Sequence, residues 1–73
     1  MWYNISMRET KLIQAAYWLG YMKSSLDNED INNFIFGQGM FTNYYKVINN
    51  FPKELFAEYK DLVNEFNNIK ESV

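Results

Sequence analysis

Apolar side chains recur with a helical period in three segments of the chain, and the clearest of them spans residues 52–70. Its apolar positions are spaced alternately by four and three residues, and they are Leu55, Tyr59, Leu62, Phe66, Ile69 and Val73. Phe56 and Val63 widen this stripe to the breadth expected of a helix that packs on a core. Pro52 suits the first helical turn, and Asn50 is the predicted cap.

The second helical segment spans residues 28–49 and carries a heptad-like seam with one polar member. The seam consists of Ile31, Phe34, Gln38, Phe41, Tyr45 and Ile48. Asp27 or Asn28 is the expected cap. Gly37 and Gly39 each weaken a helix by about 1 kcal/mol relative to alanine, so either the helix breaks there or another backbone comes close. Because the periodicity keeps its phase across the pair, we predict a continuous or kinked helix.

The first segment spans residues 5–26, and Ser6 followed by Glu9 resembles a capping box at its start. Ile5, Leu12, Ala16 and Leu19 share one helical face, flanked by Ile13, Ala15 and Met22. No window alternates as a strand would. Three helices with short connections predict an all-α protein of one domain, residues 1–73, folded as a compact antiparallel three-helix bundle.

The composition removes the usual catalytic and metal-binding side chains. The chain has no Cys and no His, so it lacks a thiolate nucleophile and the commonest general base and metal ligand. The Gly37–Gly39 segment lacks the lysine of a phosphate loop, and the acidic run at residues 27–30 lacks the spacing of a calcium loop. We therefore expect a protein that is not an enzyme, with no catalytic residue, no cofactor, no metal and no small-molecule substrate.

Net charge and hydropathy indicate whether the chain binds nucleic acid or crosses a membrane. The net charge is −2, and the basic residues are scattered over all three segments: Arg8, Lys11, Lys23, Lys46, Lys53, Lys60 and Lys70. A small helical DNA-binding regulator, the alternative, predicts a basic recognition helix instead. The longest apolar stretch, residues 12–22, is shorter than the roughly 20 residues that cross a bilayer. With no leader visible in the sequence, we expect a cytoplasmic protein.

A row of acidic residues follows one side of the third segment. Glu54, Glu58, Asp61 and Glu65, here called the acidic ridge, succeed one another at four, three and four residues, with no Lys at helical-neighbour spacing. One interpretation is a surface that meets a basic partner. The other is a solvated face of a mildly acidic protein.

A second apolar line on the middle segment exceeds what a monomeric bundle needs. It consists of Phe36, Met40, Tyr44, Val47 and Phe51, and Trp18 and Met22 add to it from the first segment. A helix that is apolar all round is either central in a larger core or covered by another chain. These residues are the predicted partner-binding set, because aromatic residues and Met are enriched at binding hot spots. The competing interpretation is an irregular core that buries both lines.

The hypothesis that follows is a non-enzymatic protein-interaction module. Phe, Tyr, Met, Ile, Asn and Lys make up 38 of the 73 residues, which indicates AT-rich coding. A phage or mobile-element protein that sterically inhibits a host protein, such as an anti-CRISPR or other anti-defence inhibitor, is the concrete version. The expected partner is another protein or a second copy in a homodimer, and a structural subunit of a larger assembly is a further alternative.

Overall fold

The computed structural model describes residues 7–71, and this part of the chain forms three α-helices. They are α1 (Met7–Asp27), α2 (Ile31–Val47) and α3 (Lys53–Glu71), and there is no strand in the described range. The predicted all-α fold of three helices is confirmed. Ile5, Ser6 and Val73, which carried parts of the predicted pattern, lie outside the described residues.

Neighbouring helices run antiparallel, as ring pairs between α2 and α3 show. Advancing along α2, the pairs are Phe34 with Phe66, Phe41 with Tyr59, and Tyr45 with Phe56. Residue numbers fall on α3 as they rise on α2. Likewise Arg8, near the start of α1, bonds to the backbone just after the end of α2. The chain therefore folds as a three-helix antiparallel bundle.

The three helices are not equally close to one another. The side chains that join α2 and α3 are aromatic rings, and the backbones of these two helices stay apart. Their Cα atoms stay more than 8 Å apart throughout the described helices, whereas α1 approaches both. Stacked rings fill the gap, with centroids 4.3 Å apart for Phe34 and Phe66 and 4.5 Å apart for Phe41 and Tyr59. Parallel offset rings of this kind add to the free energy of burial. The buried apolar residues are Ala15, Leu19, Met22, Leu26, Phe34, Phe41, Ile48 and Phe66.

The two glycines of α2 have different environments. A Cβ at Gly37 would lie 2.8 Å from Cδ1 of Tyr21 and 3.1 Å from Cγ of Met22, so the absent side chain lets α1 pack closely. A Cβ at Gly39 would meet nothing within 4 Å. The helix is continuous through both, as predicted, and at Gly37 the atoms that come close belong to side chains of α1 and not to another backbone.

A three-residue connection, residues 28–30, joins α1 to α2. Glu29 adopts a left-handed conformation (φ 56°), and its N–H donates to the Leu26 carbonyl while that of Asp30 donates to Ser25. This is the Schellman arrangement, with glutamate at the position that usually holds glycine. The Asp30 carboxylate then accepts from the Asn33 backbone N–H at 3.2 Å. The predicted cap, Asp27 or Asn28, is wrong because the Schellman turn occupies those residues and delays the start of α2.

The connection between α2 and α3 is held by α1. The Arg8 guanidinium donates from Nε to the Asn49 carbonyl oxygen at 3.2 Å and from Nη2 to that of Asn50 at 2.9 Å. Asn50 itself is left-handed (φ 55°), and the carbonyl of Pro52 accepts the first helical bond of α3, from Phe56. Asn50 is therefore not the cap that the sequence suggested, since it lies two residues before Pro52 in a turn.

The buried face of α1 is rotated from the predicted one. Ala15, Leu19 and Met22 are buried, while Ala16 is exposed and Ile13 is 63% exposed. Apolar residues surround this helix, so spacing alone did not identify which of them face the core.

Candidate protein-interaction surface

The exposed large apolar side chains of the described chain lie on α1 and α2 and not on α3. They are Met7, Ile13, Tyr17, Ile31, Ile35, Phe36, Tyr45 and Val47. The apolar residues predicted for α3 are buried or half-buried wherever the structure describes them. The two helices of the α1–α2 hairpin thus carry apolar surface that the bundle does not cover.

Four aromatic rings form one cluster across the α1–α2 hairpin. Tyr17, Trp18, Tyr21 and Phe36 are here called the hairpin cluster. The Phe36 ring meets Trp18 edge-on at a centroid distance of 5.6 Å and Tyr21 at 6.2 Å. Trp18 lies 5.0 Å from Tyr17 and 5.1 Å from Tyr21. Edge-to-face packing holds these rings in fixed orientations although Tyr17 is 62% and Phe36 is 54% exposed.

The cluster belongs to the side of the hairpin turned away from α3. Phe34 stacks on α3, and Phe36 follows it two residues later, which is about 200° of helical rotation. The same offset relates Gln38, which bonds to Tyr59, to Met40, and relates Tyr45, which stacks on Phe56, to Val47. We call this surface the hairpin face, and its apolar members are Tyr17, Tyr21, Phe36, Met40 and Val47.

The middle of the hairpin has no charged side chain. Residues 12–22 of α1 and residues 31–45 of α2 contain no Asp, Glu, Lys or Arg. In contrast, α3 carries eight charged residues. The middle of the hairpin face can therefore lose its water without the cost of desolvating a charge, which favours contact with another apolar surface.

The predicted partner-binding residues divide between this surface and the core. Phe36 (54% exposed) and Val47 (55%) are on the surface, and Met40 is half-buried. Tyr44 is half-buried and packs against the core. Trp18 also packs on the core through part of its surface while joining the hairpin cluster.

Two members of the predicted set are placed differently from the prediction. Met22 is completely buried, because it faces α2 beside Gly37, so its side chain presents nothing to a partner. The ring of Phe51 packs 5.5 Å from that of Phe41 and 5.0 Å from that of Tyr45, which makes it a lid on the core. Tyr17, outside the predicted set, is the more exposed ring. Tyr17 lies two residues before the buried Leu19, which is about 200° of helical rotation, and this spacing could have predicted its exposure.

The acidic ridge lies on the outside of α3. Glu54, Glu58, Asp61 and Glu65 are all exposed, as a solvated row on one side of a helix should be.

An open groove of about 340 Å³ lies where the end of α2 meets the start of α3. Aromatic side chains and two lysines line it: Tyr45, Phe51, Lys53, Phe56, Ala57 and Lys60. The Lys60 ammonium lies 5.8 Å from the centre of the Phe56 ring. Lys53 and Lys60 lie about 120° of helical rotation away from the acidic ridge, so the groove and the ridge are on different sides of α3. Sequence reasoning did not find the groove, because its walls come from different helices.

Residues 7–71 contain neither a metal-binding cluster nor a membrane-spanning helix. No group of three or more His, Cys, Asp or Glu residues comes together there to hold a metal ion. No helix in that range combines the length and hydropathy needed to cross a bilayer. The buried side-chain nitrogen and oxygen atoms there all have hydrogen-bond partners. For example, Ser25 donates to the Tyr21 carbonyl at 2.9 Å.

Comparison with known proteins gave no relative: no family model, no curated protein and no solved structure matches the chain.

Proposed function

We propose that the protein is a non-enzymatic interaction module that binds another protein through the hairpin face. The observation that carries the proposal is the Phe36 ring, which is 54% exposed and yet oriented by Trp18 and Tyr21 in the middle of an uncharged surface. A ring needed only for the core would turn inward, as Phe34 does. Rigid, partly exposed aromatic rings are the usual anchors of protein interfaces.

The energetics support a bound partner. Apolar surface removed from water contributes about 25 cal/mol per Å², and the hairpin face holds its rings in place before binding. Little side-chain entropy is then lost when a partner covers them, because edge-to-face contacts already restrict the rings. A contiguous apolar patch larger than a few hundred Å² is uncommon on a monomeric protein and marks an interaction surface.

In its narrower form, the proposal makes this surface the one with which a phage or mobile-element protein blocks a host protein. The composition typical of AT-rich coding supports that version, and bacterial defence nucleases are the first partners to screen. The mechanism is steric, since it needs only that the rings occupy a surface which the host protein uses. The acidic ridge stays in solvent in this arrangement.

A matched pair of substitutions tests the proposal. Ile35 is 53% exposed, next to Phe36 in α2, but about 100° of helical rotation away from it. Phe36→Ala should weaken capture of the partner from a lysate of the source cell at least about fivefold, whereas Ile35→Ala should leave it unchanged. Capture is measured by affinity purification and quantitative mass spectrometry, with circular dichroism as the control for folding. Equal retention or equal loss in both variants would contradict the assignment of the hairpin face.

A further inference from the structure

We infer that the open groove at the junction of α2 and α3 binds an acidic segment of a partner protein, with an apolar side chain of that segment seated between two lysines. The groove holds about 340 Å³, and its walls come from α2, α3 and the connection between them. None of its lining residues belongs to the hairpin face. The inference therefore concerns a second surface and goes beyond the proposed function.

Two lysines mark the ends of the groove along α3. Lys53 and Lys60 are seven residues apart, so their positions differ by about 20° in rotation and by about 10.5 Å along the helix axis. Ala57 lies between them on the same side of the helix, lines the groove and is exposed. Its small side chain leaves room between the two cations for a side chain of a ligand.

Aromatic rings form the other walls of the groove. The Phe56 ring stacks on that of Tyr45 at a centroid distance of 4.9 Å, and the Phe51 ring meets Tyr45 edge-on at 5.0 Å. Tyr45 is 37% exposed, so part of this ring surface is open to a ligand. The methylene stems of the lysines add to it. The groove thus combines apolar walls with positive charge at both ends.

The positive charge of the groove is not matched by carboxylates of its own helix. No Asp or Glu lines the groove, and neither lysine has an acidic residue three or four positions away in the sequence. A carboxylate that meets such an ammonium group gains a charge-assisted hydrogen bond, which a purely apolar ligand does not supply. Charge complementarity therefore selects an acidic segment for this groove.

The same charges disfavour nucleic acid as the occupant. Proteins that hold nucleic acid by its backbone typically make about 6–10 phosphate contacts, and this groove offers two cations. A strand that extended past the groove would approach the acidic ridge, which begins at Glu54 beside Lys53. The Phe56 ring is also engaged by Tyr45 and by the Lys60 ammonium 5.8 Å from its centre, so it is not a free platform for a base.

The dimensions of the groove fit a short extended segment. In an extended chain, side chains two residues apart point the same way and lie about 6.6 Å apart. Carboxylates two positions before and two positions after an apolar residue are then about 13 Å apart. The flexible four-carbon stems of Lys53 and Lys60 bridge the difference from their spacing of about 10.5 Å. The expected segment carries an apolar side chain with an acidic residue two positions away on each side.

Titration of the purified chain with a synthetic peptide tests the inference. The peptide contains aspartate, serine, phenylalanine, serine and aspartate in that order, with both termini blocked. We expect saturable shifts of the backbone amide signals of Tyr45, Ala57 and Lys60 in two-dimensional nuclear magnetic resonance spectra. The dissociation constant should be about 0.1–1 mM, because exposed ion pairs contribute little and one apolar side chain is buried. A peptide with asparagine in place of both aspartates should bind at least about fivefold more weakly.

Variants with equal net charge separate the groove from general electrostatic attraction. Lys53→Glu combined with Lys60→Glu should weaken binding of the aspartate peptide at least about tenfold. Lys23→Glu combined with Lys70→Glu alters exposed lysines outside the groove and should leave binding within about twofold in 0.15 M salt. Ala57→Leu keeps both lysines but fills the space between them, and it should weaken binding at least about fivefold. Circular dichroism checks that each variant is folded.

Several outcomes overturn the inference. They are the absence of saturable shifts, equal binding of the aspartate and asparagine peptides, and equal loss in the two double variants. Binding that survives Ala57→Leu would place the peptide elsewhere and overturn it as well. So would a single-stranded oligonucleotide that binds more tightly than the peptide and is lost in the Lys53 and Lys60 double variant, because the groove would then be a nucleic-acid site.

The groove and the hairpin face are tested independently. Phe36→Ala should bind the aspartate peptide as tightly as the unaltered chain, because Phe36 does not line the groove. Loss of the peptide in that variant would contradict the separation of the two surfaces and overturn the inference. Failure of the peptide experiment leaves the proposed function standing, since that function is measured by capture of the partner of the hairpin face.

Discussion

The third helix and the α1–α2 hairpin divide their apolar residues in opposite ways. On α3, the described apolar stripe faces inward and the exposed positions are polar or charged apart from Ala57. On the hairpin, Phe34 and Leu19 are buried while Phe36 and Tyr17 stand in solvent on the other side. Packing on one core explains all the apolar residues of an amphipathic helix. It does not explain those of a helix with two apolar sides, and the second side is therefore a candidate binding surface.

The largest expected effect is a difference in the free energy of unfolding between alanine variants of two phenylalanines that lie two residues apart on α2. Phe34 is fully buried and stacked on Phe66, so Phe34→Ala should lower the free energy of unfolding by about 3–5 kcal/mol or abolish cooperative unfolding. Phe36→Ala removes a half-exposed ring and should cost less than about 1.5 kcal/mol. Urea denaturation followed by circular dichroism, at a protein concentration that keeps the chain monomeric, measures both. Similar losses in the two variants would place Phe36 in the core and remove the contrast.

The second-largest effect compares the two glycines of α2, one facing α1 and one facing open space. Replacing them with alanine should change the free energy of unfolding in opposite directions. Gly37→Ala brings a methyl group to 2.8 Å from the Tyr21 ring and should lower the free energy of unfolding by about 1–3 kcal/mol. Gly39→Ala enters open space and should raise it by about 1 kcal/mol, because alanine favours the helix. The same denaturation assay applies. A gain in stability at Gly37 would show that α1 does not depend on this close approach.

The smallest effect concerns the outside of α3. Glu58→Lys converts two like-charge neighbours, Glu54 and Asp61, into attractive ones and should raise the free energy of unfolding by about 0.5–1 kcal/mol. The gain should vanish in about 1 M salt, where screening is complete within a few ångströms. Capture of the partner should not change, since the ridge is on α3 and the hairpin face is on α1 and α2. Weaker capture would mean that α3 takes part in the contact.

The spacing of apolar residues predicted α3 well, because only one orientation of this helix buries its whole apolar stripe. Its boundaries, 52–70 against Lys53–Glu71, agree within one residue, and its described stripe lies against the core as expected. The heptad seam of α2 also held at Phe34, Phe41 and Ile48, and Gln38 is tolerated there because its amide donates to the Tyr59 hydroxyl at 3.3 Å. The fold class and the three helices could therefore be read from spacing alone.

Spacing was a poor guide to the hairpin, for a physical reason. When apolar residues surround a helix, several rotations bury similar areas, and only the neighbouring helix selects one. Met22 is in the core because Gly37 lets α1 come close at that point, which no periodicity in α1 reveals. Likewise the cap at Asp30 depends on the left-handed Glu29, a conformation that residue identity does not favour. The candidate site was predicted in outline, through Phe36 and Val47, and corrected in its details by tertiary contacts.

The ring-to-ring contact between α2 and α3 has a consequence for how this sequence can change over time. Where the backbones of α2 and α3 stand apart, the flat side chains between them set the width of the gap, so an aliphatic replacement on one side leaves a void. In related sequences, substitutions at these four positions should therefore replace one aromatic residue with another, while the rest of the two helices diverges. The four positions form two pairs, 34 with 66 and 41 with 59. A search for distant kin that weighs those two ring pairs above overall identity uses the most durable feature of this chain.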